Sequence, residues 1–99
     1  MYHLPKPPRI NNALTRRVAQ LHHQGYGFDF GISGNQELFC MQDNRSFTRD
    51  ALSITLVDQV YDKLFKQFKY VHTVEAESGE KGILLINFIH LGASPITIH

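Results

Sequence analysis

The stretch KYVHTVEAESGEKGILLINFI, residues 69–89, reads as a β-hairpin. Tyr70–Glu77 and Gly82–Ile89 are rich in apolar and β-branched residues. Between them stands Glu77-Ser78-Gly79-Glu80, a turn-like tetrapeptide. Two such runs around a short polar turn predict paired antiparallel strands, the spine of a small sheet. Working upstream, Ala51–Phe68 carries two periods at once. Leu52, Leu56, Val60 and Leu64 recur at i+4, with Val57, Tyr61, Phe65 and Phe68 beside them, as on a helix. Yet Leu52, Ile54 and Leu56 alternate within a β-branched run, as on a strand. The expectation is a strand over Leu52–Tyr61, then a loop with Lys63 and Lys66.

Further upstream, Tyr26–Ser33 alternates with Phe28, Phe30 and Ile32 on one side and Asp29 and Gly31 on the other. That predicts a half-buried strand. Gly34-Asn35 is a turn signal, and Glu37–Gln42 completes a second hairpin. Asp43-Asn44-Arg45 is polar and loop-like, and Ser46–Asp50 continues the connection. Ile10–Gln24 predicts a helix with Leu14, Val18 and Leu21 on one face. Asn11 or Asn12 suits its cap and Gly25 its left-handed stop. Pro5, Pro7 and Pro8 make residues 1–9 an extended arm. Leu91 onward, with Gly92 and Pro95, reads as a tail with an edge segment at Ile96–Ile98. The expected fold class is α+β. One N-terminal helix packs on an antiparallel sheet of four to five strands, in a single domain over residues 10–90.

Ninety-nine residues make one domain at most, and a hydrophobic content of 42% supports one helix on one sheet. A lone Cys40 leaves no internal disulfide and fits a reduced setting. The longest apolar run, Ile83–Ile86, is far short of the ~20 residues that span a bilayer. The expectation is a soluble, cytoplasmic protein with no membrane partner. The net charge of +1 hides an asymmetry. Lys6, Arg9, Arg16 and Arg17 lie in the first 25 residues without any acid, while all nine acids follow. A basic face of this kind suits a polyanion, a second copy of the chain, or plain solvation.

No strong catalytic or cofactor motif is present. Gly25, Gly27, Gly31 and Gly34 have the wrong spacing for a dinucleotide fingerprint and follow a helix into a strand. His22 and His23 are adjacent, so on a helix they point about 100° apart and do not chelate together. His72 and Cys40 offer two soft ligands on different strands, fewer than zinc wants. Asp29, Glu75 and Glu77 are candidate paired carboxylates: if their strands share a face, two acids approach and one pKa rises. No catalytic residue, cofactor or metal site is assigned. Asp29, His72 and Glu75 are carried forward as polar sheet residues of interest.

The pattern Leu21-x3-Gly25-Tyr26-x2-Asp29-Phe30, then Phe47, then Val74-Glu75-x-Glu77-Ser78-Gly79-x-Lys81-Gly82-Ile83-Leu84 resembles a family of small uncharacterised bacterial proteins. The resemblance covers residues 14–88. It implies a helix, a GY-x-x-DF strand and a last hairpin with a KG-[VI]-L strand, and it favours strand over helix for Leu52–Tyr61. Here KLFKQF replaces the family's Gly-Asn-Ser-Asp-Pro-like turn, and Asn87–His90 replaces its YG-containing segment. Some members carry the label phosphoribosylpyrophosphate synthetase. That activity needs an acidic, Gly/Thr-rich ribose-phosphate loop and a far longer chain, so it is rejected here.

Three functions remain. The first is a non-enzymatic interaction module, homodimeric through an open sheet face, because Val57, Phe65, Phe68, Val71 and Ile83–Ile86 make both faces of the final hairpin apolar. The second is a nucleic-acid or nucleotide binder using Lys6, Arg9, Arg16 and Arg17. The third is a small enzyme using sheet carboxylates or histidines.

Overall fold

The computed structural model describes residues 12–95. The Pro-rich arm with Lys6 and Arg9, the Asn11 cap and the Ile96–Ile98 edge segment lie outside the described residues. The fold is α+β, as expected: helix α1 (Asn12–His23) packs on one sheet. The strands are β1 (Phe28–Ile32), β2 (Leu38–Cys40), β3 (Ser46–Phe47), β4 (Leu52–Asp62), β5 (Gln67–Ala76), β6 (Lys81–Ile86) and β7 (Ser94–Pro95). The sheet has seven strands in the order β3-β2-β1-β6-β5-β4-β7. The count exceeds four to five because two two-residue strands are too short to show a period. Ser46–Phe47 pairs with β2 instead of forming a plain connection. Ser94–Pro95 pairs with β4, so the predicted tail is part of the domain. Nor is the sheet wholly antiparallel, since β1 runs parallel to β6 and β4 parallel to β7.

The helix ends as the sequence predicts. Gly25 has φ +104°, and the amides of Gly25 and Tyr26 donate to the carbonyls of His22 and Leu21. That pair of bonds is a Schellman stop. Leu21, Val71 and Ile83 form the core between helix and sheet, with Leu14, Val18, Val57 and Val60 packed against them. The other face carries the larger core: Phe30, Leu38, Cys40, Phe47, Ile54, Val74 and Leu84. No helix covers it. The sheet curls until β3 approaches the start of β4, where Leu38 and Phe47 line one crevice with Leu52 and Ile54. The Phe30 and Phe47 rings meet at 5.7 Å.

The two periods of residues 52–68 have one physical cause. The β4–β5 register shifts between Leu56 and Asp58, leaving Val57 as an unpaired extra residue. Such a bulge re-phases the strand. Leu52, Ile54 and Leu56 serve the curled face, whereas Val57 and Val60 serve the helix face. A strand that changes face part-way mimics a four-residue period.

Cys40 is fully buried on the curled face, with its thiol 3.5 Å from the Gln42 side-chain oxygen. A thiol without solvent access is inert until the fold opens. Ellman's reagent should therefore label Cys40 at least about tenfold more slowly in buffer than in denaturant, as expected for a site that needs opening. Immediate labelling of the native protein would contradict this burial.

Candidate functional site

Asp29 and Glu75 both sit on the helix side but not together. Asp29 stands in register with Ile83 on β6, which pairs with Thr73 on β5, while Glu75 pairs with Lys81 and Ser53 one step further along. Each has its own neighbours. The Gln42 side-chain amide donates to Asp29 at 3.0 Å, and His22 lies 3.6 Å away. The Lys81 ammonium is 3.4 Å from Glu75. The carboxylate pair is therefore not formed.

His72 lies on the opposite face and is fully buried. Its Nδ1 is 3.2 Å from the carbonyl oxygens of both Tyr70 and Leu84. Two acceptors there place the ring proton on Nδ1. Nε2 then accepts the backbone N–H of His90 at 3.1 Å. His90 Nδ1 in turn accepts the N–H of Gly92 at 3.0 Å. Residues 87–93 thus form a strap across the curled face. This corrects the expected strand over Gly82–Ile89, which leaves the sheet after Ile86. Burial pushes the pKa of both histidines below the usual value, with Arg49 beside His90 adding charge repulsion. Both His72 nitrogens are engaged, and no group of three metal-ligating side chains occurs among the described residues.

Of the four basic residues singled out, the structure describes two. Arg16 is exposed and Arg17 half-buried, both beside β4. The Arg17 Nε lies 3.1 Å from the Asp58 carboxylate. Its N–H is not aimed along that line, so the contact is coulombic rather than an aligned hydrogen bond. Both arginines line an open trough of about 710 Å³ between α1 and β4, together with Gln20, Gln59 and Tyr61.

Beyond that trough is a feature that the sequence marks only as KLFKQF. Pairing of β5 with β6 ends at Tyr70 and Ile86, but β4 and β5 continue pairing to Asp62 and Gln67. The last three β4–β5 pairs and the 63–66 turn project as a two-stranded ribbon with no strand on either side among the described residues. A bare ribbon is marginal by itself. Here the Tyr61 and Phe68 rings meet edge-on at 5.2 Å across the strands. Buried Asp62 accepts the amide of Leu64 at 2.9 Å and fixes the turn. The outward surface is apolar and cationic. Tyr61 is 44% exposed, Leu64 52%, Phe65 64% and Phe68 46%. Lys63, Lys66 and Lys69 interleave with them, and Lys69 stands 5.3 Å from the Phe65 ring centre. Among the described residues none of the three lysines reaches a carboxylate. Acids collect instead where β4 begins and β5 ends, at Asp50, Glu75 and Glu77.

No family model, curated protein or solved structure matches this chain. No helix among the described residues is long and apolar enough to cross a membrane.

Proposed function

We propose that this is a small non-enzymatic interaction module that self-associates through the part of the sheet α1 leaves open. The observation that carries it is an apolar patch on the helix side, outside the reach of α1. A side chain at Gly31 would meet the Phe39 ring at 2.8 Å and the Met41 methyl at 3.0 Å, so both lie over β1. Leu85 follows on β6, because Phe30 pairs with Leu84 and the next position faces the other way. Met41 is 53% exposed and Leu85 38%. Exposed apolar side chains gathered on one sheet face are what a second copy covers. The scattered carboxylates and the fully bonded His72 give an enzymatic reading nothing to build on.

Light scattering on a size-exclusion column is expected to give twice the chain mass. Leu85→Glu should return the protein to the single-chain mass, because a buried unpaired charge is strongly unfavourable. A wild-type protein at single-chain mass at every concentration would refute the proposal. So would a Leu85→Glu variant that stays dimeric.

The resemblance over residues 14–88 is compatible with this reading and adds no activity to it. In the structure its GY-x-x-DF and KG-[VI]-L segments meet as the parallel pair of β1 and β6. We propose that this pairing is what such a family would share.

A further inference from the structure

We propose that the projecting β4–β5 ribbon, with the trough beside it, binds single-stranded nucleic acid. Three observations carry this. First, the ribbon presents aromatic rings and cations on both of its faces: Tyr61 and Phe68 stack on one, Phe65 and Lys69 meet on the helix side, and Lys63 and Lys66 stand at the turn. Bases stack on such rings whatever their sequence, and lysines between them meet the phosphates. The only acid of the ribbon, Asp62, is buried and spent on the turn amides. Second, the cationic surface does not stop at the tip. Tyr61 also lines the trough, where Arg16, Gln20 and Gln59 offer a guanidinium and two amides. The carboxylate there, Asp58, is held against Arg17 and cancels that one charge. The result is a path from tip to helix that suits a linear polyanion. A flat lipid surface would touch only the apex at Leu64 and Phe65 and leave the trough unused. Third, the acids at Asp50, Glu75 and Glu77 lie away from the ribbon, at the start of β4 and the end of β5. That polarity turns the ribbon toward a polyanion on approach. The surface is separate from the Met41 and Leu85 patch, so it does not depend on self-association.

The test uses the full chain and a fluorescent oligothymidylate of about 16 nucleotides, the upper range of site sizes for single-strand binders. Anisotropy is measured between about 50 and 200 mM salt, where counterion release is most visible. Binding is expected to weaken with salt with a log–log slope of about −3, from the three lysines and Arg16 at ~0.7 each. Lys66→Gln should make that slope shallower by ~0.7. Phe65→Ser should weaken binding by roughly tenfold at constant slope, as loss of a stacking platform does. Both positions are exposed, so circular dichroism should show intact folding. Leu85→Glu should bind like the wild type, which separates this proposal from the dimer. No binding at low salt would overturn it. So would unchanged binding by a Lys63→Gln, Lys66→Gln, Lys69→Gln triple variant. Equal affinity for the matching duplex, or binding to vesicles of anionic phospholipid in place of the oligonucleotide, would overturn it as well.

Discussion

Gly82→Ala is expected to lower the thermal unfolding midpoint by roughly 10–20 °C, taking 2–3 kcal/mol for overpacking and 4–8 °C per kcal/mol for a domain of this size. Gly82 is buried in β6, directly paired with Phe28 of β1. A methyl there would run into the Phe28 carbonyl oxygen and meet the Phe30 ring at 2.6 and 2.7 Å. Neither neighbour is a flexible end. The carbonyl belongs to the paired strand, and Phe30 is among the most buried side chains of the curled core. Relief would require β1 to move away from β6 along their shared edge. Gly79→Ala is the matched control. Gly79 has φ +104° but open space around it, so its cost is conformational, about 1 kcal/mol. Scanning calorimetry on the two variants should rank them in that order. A Gly82→Ala protein that melts with the wild type would refute the close approach of these strands.

His72→Leu is expected to lower stability by about 3 kcal/mol, since it strands the His90 amide and two carbonyl partners in a buried site. It should also remove much of the acid sensitivity of the wild type. Both His72 and His90 have folded pKa values below the ordinary 6.5. The unfolded chain therefore binds more protons than the native one just below that value. Stability is fully present above about pH 6.5 and falls as the pH drops from there toward the folded values. The bonding explains the direction: a protonated His72 Nε2 can no longer accept the His90 N–H, and a protonated His90 Nδ1 can no longer accept from Gly92. Urea midpoints at pH 7.5 and 5.5 measure this. A flat wild-type profile, or a variant with the same slope as the wild type, would contradict the neutral-histidine strap.

The hairpin over residues 69–89 was legible because both its strands keep a steady β pattern around a polar turn. So was α1, whose Leu14, Val18 and Leu21 face and Gly25 stop are local signals. Residues 52–61 lie in β4, although the bulge at Val57 blurs their period. What local pattern does not encode is long-range pairing. Nothing in Phe28–Phe30 indicates that its neighbour will be Gly82–Leu84. Ser46–Phe47 and Ser94–Pro95 are strands only because partners lie beside them. The candidate residues fared according to the same distinction. Alternation places Asp29 and Glu75 each on one side of its own strand, but whether the two sides coincide, and how far apart the acids stand, depends on strand order. The ribbon was hidden because Leu64, Phe65 and Phe68 look like core in sequence. Only the early end of β6 shows that no strand among the described residues stands beside them.

The parallel pairing of β1 with β6 also shapes how the chain reaches this structure. The strands β4, β5 and β6 are joined by short turns and can zip together locally. Then β1 must find a strand made much later in the chain, since Phe30 meets Leu84. Closing so long a loop costs entropy before any contact returns it. The meander is therefore expected to form first and the docking of β1, carrying β2 and β3 with it, last; substitutions at the β1–β6 contact should then speed unfolding more than they slow folding, which stopped-flow kinetics would read. On a ribosome that docking has to wait until β6 has left the exit tunnel. Until then the apolar face of β1, Phe28, Phe30 and Ile32, stays without its partner strand.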